Sequence, residues 1–149
     1  MVHRLLTAAM LTLLLPAAAM AEQENPAHGL WLTENGKAIV EFAPCGTETC
    51  GKMVWIANPR DAAGQIKRDV NNSDSAMRER PLCGLTLVGG LGPAEKGWIY
   101  NPRDGETYSV KVTPVSPLEL KVRGFLGIEL FGSSQTWTRV SSDRGGCGA

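Results

Sequence analysis

Four cysteines, Cys45, Cys50, Cys83 and Cys147, one histidine at position 28, and the stretch "DVNNSD" from Asp69 to Asp74 are the residues whose types could carry chemistry. A cysteine or serine nucleophile needs a base within hydrogen-bond reach. His28 is the only histidine beyond the N-terminal leader-like stretch, and its place ahead of the first predicted strand reads as an exposed position. Asp69 and Asp74 could form a carboxylate pair, but Asn71 and Asn72 lie between them, and residues of this kind cap turns and short helices. A calcium loop starting at Asp69 would need glycine at its sixth position and glutamate at its twelfth, where this chain has Asp74 and Arg80. A zinc site would need closely spaced ligand pairs, whereas Cys83 and Cys147 stand alone. The sequence therefore predicts no catalytic residues, no metal and no cofactor.

The chain opens with "MVHRLLTAAMLTLLLPAAAMA": a basic start, a short apolar run, and a small-residue ending at Ala19-Met20-Ala21. This is the pattern of a secretory signal peptide over residues 1–21, cleaved after Ala21. The apolar run is short for a membrane anchor and is interrupted by Thr7, Thr12 and Pro16. The rest, residues 22–149, has one fewer basic residue than the 15 of the whole chain, against 15 acidic ones, a balance that carries no footprint for nucleic acid. Its length suits a single domain. An exported chain meets an oxidising compartment, with the periplasm expected, so the four cysteines read as two disulfides. Spacing alone leaves three pairings open. "AIVEFAPCGTETCGKMVWIA" reads as a hairpin around Gly-Thr-Glu-Thr, which would set Cys45 opposite Cys50 and leave Cys83 for Cys147.

Beyond the leader, short apolar or alternating segments recur between Gly, Pro, Asn and Asp clusters, and helical periodicity is nearly absent. Eight strands are predicted, over residues 28–33, 37–43, 52–57, 84–88, 97–101, 106–113, 118–125 and 128–140. "LELKVRGF" alternates most cleanly, with Leu118, Leu120 and Val122 on one face. Short connections and eight strands favour an antiparallel up-and-down barrel over an open sheet, with a two-sheet sandwich as the rival. One connection, residues 58–83, is long and polar, with a short helix capped by Asp74 and stopped by Pro81. The chain also writes "WIANPRD" at Trp55 and "WIYNPRD" at Trp98. Unmatched flanks argue against duplication, and Asn-Pro-Arg-Asp is turn chemistry used twice.

"GLW" at Gly29 and "TWTR" ending at Arg139 sit at the two ends of this pattern. The pair resembles the lipocalin and fatty-acid-binding (calycin) group, in which a Gly-x-Trp on the first strand packs near an arginine of the last; Trp31 and Arg139 would then form a structural cation–π contact. The stretches "CGTETCGKMVWI", "NNSDSAMRERPLCGL", "GWIYNPRDGETYSVKV", "LKVRGFLG" and "GSSQTWTRV" further resemble the bacterial exported domain-of-unknown-function family 2147 (DUF2147). The resemblance implies a lipocalin-like barrel and names no activity. Ser73 and Ser75 stand where that family has prolines, a departure expected to loosen the loop without altering the fold.

A small closed barrel can hold one ligand. The sequence accordingly predicts a pocket inside the barrel for a small apolar or amphipathic molecule, lined by Trp55, Trp98, Tyr100, Tyr108 and Phe125. The long loop would act as a lid, with Arg78 and Arg80 available to an anionic head group. The competing reading is a filled barrel serving as an envelope interaction or structural module. The sequence identifies no protein partner.

Overall fold

The computed structural model describes residues 24–148; the predicted signal peptide and its cleavage site lie outside them. Eight antiparallel strands close into a barrel in chain order: β1 (Gly29–Leu32), β2 (Ala38–Cys45), β3 (Glu48–Ile56), β4 (Thr86–Leu91), β5 (Lys96–Asn101), β6 (Glu106–Ser116), β7 (Glu119–Phe125) and β8 (Ser133–Val140). Closure is direct, with Trp31 paired to Arg139 and Leu32 to Thr138 across β1 and β8. Among the described residues the helical elements are three short 3-10 turns, Ser75–Met77, Glu129–Phe131 and Gly146–Gly148.

Each predicted strand is present, with shifted ends. The last begins at Ser133 rather than residue 128, because Glu129–Phe131 folds into a 3-10 turn and Gly132 lies against the Gly124 carbonyl and the Phe125 side chain. The β2–β3 hairpin is tighter than expected, with Cys45 paired to Glu48 and Gly46 at φ 65°. Cys50 accordingly pairs with Ala43, so the Cys45–Cys50 disulfide joins diagonal positions, its Cα atoms 5.8 Å apart. The second disulfide is Cys83–Cys147.

Directly paired residues of antiparallel strands share a face. The registers Trp31 with Val40, Val40 with Met53, Gly51 with Val88, Val88 with Ile99, and Leu120 with Trp137 thus trace the inward set around the ring. Trp31, Val40, Phe42, Val88, Val110, Val112 and Leu120 are essentially inaccessible. Gly51 leaves room for the Phe42 ring, since a Cβ there would press on it, and Phe42 tilts against Trp137 with centroids 6.1 Å apart. Side chains fill the middle of the barrel.

Arg139 seals one end. Its guanidinium lies 4.1 Å from the centroid of the Trp31 ring and donates to the carbonyls of Pro117 (2.6 Å), His28 (2.7 Å) and Pro26 (2.7 Å). The Trp31 indole donates to the Ala27 carbonyl at 2.8 Å. Gly29, at φ 121°, is where a side chain would collide with this arginine.

The long β3–β4 connection does not cross the opposite end as a lid. It is fastened to the outer flank of β5 and to the β5–β6 hairpin: Asn72 donates to the Tyr100 hydroxyl, and Asn71 to the carbonyls of Pro102 and Arg103. Asp74 caps the Ser75–Met77 turn by accepting from the Ala76 amide at 2.9 Å. The C-terminal segment runs back to Cys83, near the end of the same connection. Arg144 lies 4.7 Å over the Trp55 ring, and Ile39, the register partner of Trp55, is fully buried on that outer face.

Candidate functional site

The long loop and the outer face of β5 meet in a buried polar cluster. Alternation puts Ile99 inside the barrel and Trp98 and Tyr100 outside, so Tyr100 needs a cover, and the loop supplies it. Asp69 is inaccessible to solvent and accepts from the Tyr100 hydroxyl (2.6 Å), Asn72 Nδ2 (2.8 Å) and Arg80 Nε (2.8 Å), with Arg80 Nη2 also at 2.8 Å. Arg80 further lies 5.4 Å over the Tyr100 ring. Burial by itself would raise the Asp69 carboxyl, but the hydrogen bonds from Tyr100, Asn72 and Arg80, with the arginine charge, outweigh it and hold the group below the usual carboxylate range. Burial and the neighbouring Asp69 together push the Tyr100 hydroxyl upward. With four donors on two oxygens, Asp69 is a clasp rather than a free base.

Beside this clasp the surface dips into a shallow depression of about 250 Å³, bordered by Ser73, Met77, Arg80, Thr86, Trp98 and Thr107. Trp98 leans on Gly89 and Gly90, where a Cβ at Gly89 would overlap the indole, and keeps 40% of its surface open. One side of the ring is backed by β4 backbone, and the ring N–H has no protein partner among the described residues. A second depression, about 720 Å³, lies outside the opposite end, beside Arg139, Pro114 and Leu118. Both open to the surface.

The predicted ligand residues are not assembled around one mouth. Trp98, Tyr100 and Arg80 meet at the outer depression. Trp55 is on the outside of β3 under Arg144, and Phe125 is on the outside of β7, paired with Ser109. Tyr108 alone points inward, near the barrel end, where its hydroxyl donates to Asp104 at 2.8 Å. Asp104 also accepts from the Glu106 amide and Asn101; against the effect of burial, these bonds lower its carboxyl, and the bond to Asp104 raises Tyr108. Arg78 is turned to the Asn72 carbonyl, 2.8 Å away. His28 meets Thr49 at 2.9 Å. Among the described residues no group of three metal-ligating side chains occurs.

Asp69, Asn72, Gly89 and Thr107 are members of this region that sequence reading did not single out as a site. Asp69 was legible only as turn chemistry, although an acid eleven residues before an arginine across a Pro-stopped turn is what a looped clasp requires. Gly89-Gly90 inside a strand signals close approach of something large, here Trp98.

The family model described as an uncharacterized protein conserved in bacteria, DUF2147, matches residues 29–139, from the first paired residue of β1 to the arginine that closes the barrel. The chain belongs to DUF2147. Its barrel is lipocalin-like: the solved structure described as protein HP1028 from the human pathogen Helicobacter pylori, belonging to the lipocalin family, superposes with a TM-score of 0.62 at 25% identity, covering 76% of this chain and 82% of that one. No curated protein matches. The DUF2147 match spans the Asp69 clasp, Trp98 and both members of the Trp31–Arg139 pair.

Proposed function

We propose that this DUF2147 protein is an exported, non-catalytic binding module that takes a small amphipathic ligand on the outside of its barrel, in the depression beside Trp98. The observation carrying this reading is the exposed indole braced on Gly89 and Gly90, next to an arginine and two threonines. A ligand with a flat apolar face and a hydroxyl or acid edge would stack on the ring and hydrogen-bond to its rim. The filled interior supports an outer site over an inner one, and an inner site would require Phe42, Trp137 or Leu120 to move. Export is supported by the two disulfides, Cys45–Cys50 and Cys83–Cys147, which persist in an oxidising compartment. The non-catalytic reading rests on Asp69 being held by four donors, which leaves its carboxylate no free lone pair to act as a base. The envelope interaction module is the same geometry with a macromolecule at the depression.

The test is a fluorescence titration with sugars, sugar acids, aryl glycosides and fatty acids, using wild type and Trp98→Ala. Saturable quenching by a ring-bearing polar ligand that disappears in Trp98→Ala is expected. Fatty-acid binding that survives Trp98→Ala would return the site to the interior.

A further inference from the structure

The β7–β8 connection, residues 126–132, exposes four large apolar side chains within six residues: Leu126 (69%), Ile128 (57%), Leu130 (77%) and Phe131 (79%). A soluble surface seldom gathers such a patch without a use for it. The connection is also built to hold its shape. Arg123 donates from Nε to the Glu129 carbonyl at 3.0 Å, from Nη2 to that of Leu130 at 3.3 Å, and from Nη1 to Ser134 Oγ at 2.8 Å. Gly132 returns an amide to the Glu129 carbonyl at 3.0 Å and sits where any side chain would strike Gly124 and Phe125.

Behind this tip the outer face of β5–β7 carries a row of like charges. Lys96 pairs in register with Lys111, and Lys111 with Arg123, while Lys121 lies on the same face of β7. Cations directly opposed across strands are unfavourable. Glu129 answers Lys111 at 3.5 Å and Lys96 at 3.8 Å, and Glu119 shares the outward face of β7 with Lys121, so the face carries four cations against two carboxylates and keeps a positive excess. Stability alone does not account for an apolar tip held rigidly above a band of excess positive charge.

We propose that the β7–β8 loop docks the protein on an anionic lipid bilayer, with Leu130 and Phe131 entering the headgroup and acyl boundary and Lys96, Lys111 and Lys121 facing lipid phosphates. A short convex tip favours a fluid bilayer over a protein partner, which would need a matching concavity. The basic row gives the charge complementarity that a leaflet of anionic lipid offers. This surface is separate from the Trp98 depression and stands whether or not that depression binds a ligand.

The experiment is co-sedimentation of the disulfide-bonded chain, residues 22–149, with vesicles of phosphatidylcholine alone and of phosphatidylcholine mixed with phosphatidylglycerol. Binding to the mixed vesicles is expected, falling with added salt. The double substitution Leu130→Ser, Phe131→Ser should weaken it about tenfold or more, as loss of two inserted apolar side chains requires. Its folding is checked by the urea midpoint. As an independent readout in a chain with its loop otherwise intact, Phe131→Trp should show a blue-shifted emission on mixed vesicles. No binding to mixed vesicles, binding unchanged by the double substitution, or an unshifted Phe131→Trp emission would overturn the proposal. So would concentration-dependent self-association abolished by the same substitutions, which would assign the tip to a second copy.

Discussion

Arg139 and Arg80 each lie against an aromatic ring and fasten a segment of chain to the barrel, yet they do so with opposite kinds of partner. Arg139 gathers three backbone carbonyls from two separate segments around the Trp31 indole. Arg80 grips one carboxylate, Asp69, which the Tyr100 hydroxyl and Asn72 also hold. The first clasp uses groups that do not titrate and cannot be mutated away on the acceptor side. The second depends on a single ionised side chain. The barrel end should therefore be indifferent to mild acid, and the loop that borders the Trp98 depression should not.

The largest test of this contrast removes the covalent tie that both the loop and the C-terminal segment share. Replacing Cys83 and Cys147 by alanine opens a closure of 64 residues and should cost about 4 kcal/mol by chain entropy, read as a lowered urea midpoint. If the Asp69 clasp is independent, the loop should still be seated in the folded fraction, with slow exchange of the Asp69 amide. Fast exchange there would mean that the disulfide, not the clasp, holds the loop.

Next comes Arg139→Ala, expected to lose about 1 to 3 kcal/mol through the vacated contact with Trp31 and three carbonyls left to water. Arg139→Lys should rescue little, because one ammonium cannot reproduce the fork over the indole. Full rescue would show that charge alone closes the barrel.

Asp69→Asn should be milder, about 1 to 2 kcal/mol, since Arg80 is partly exposed and water can replace part of what it loses. Its effect should be local: exchange should quicken in residues 67–82 and not in β1 or β8. Combined with Arg139→Ala it should add within about 0.5 kcal/mol, as independent sites do.

The acid limb separates the two clasps by sign. A carboxyl whose folded pKa is lowered contributes stability that is complete above its unfolded value, about 3.9, and is lost as pH falls through the lowered value. The wild-type advantage over Asp69→Asn in urea should thus shrink as pH drops below about 4, whereas the advantage over Arg139→Ala should persist. Asp104 falls in the same direction and adds to the overall acid sensitivity. A constant gap between wild type and Asp69→Asn down to about pH 2 would contradict the clasp.

How much of this was legible in the residues follows from what is local and what is not. Alternation and turn chemistry located all eight strands, and the Gly-x-Trp and arginine at the two ends announced closure, because those signals are written within a few residues. Tyr100 and Trp98 were visible as strand aromatics, but their outward facing depends on the register that pairs Ile99 with Val88, which no local pattern states. The two Trp-Ile-x-Asn-Pro-Arg-Asp copies diverge as their flanks imply, the second closing a tight hairpin at Gly105 and the first opening the long connection. In one, Asn101 and Asp104 bond each other in a hairpin closed at Gly105; in the other, Asp61 accepts from Ala63 and Gln65 in an unrelated turn. Identical turn residues thus led to different surroundings. Asp69 was hidden because, Asn72 apart, its partners are eleven and thirty-one residues away.

The central claim, that the interior is packed and recognition lies outside, is tested most directly by a two-dimensional NMR titration of the folded protein with the ligand that quenches Trp98. The predicted result is shifts confined to the Trp98 indole N–H and the amides of Ser73, Arg80, Thr86 and Thr107, with Val88, Val110, Leu120 and the Trp137 indole unmoved. Stoichiometric shifts of those inward-facing residues, with Trp98 unchanged, would contradict it and place the ligand inside the barrel.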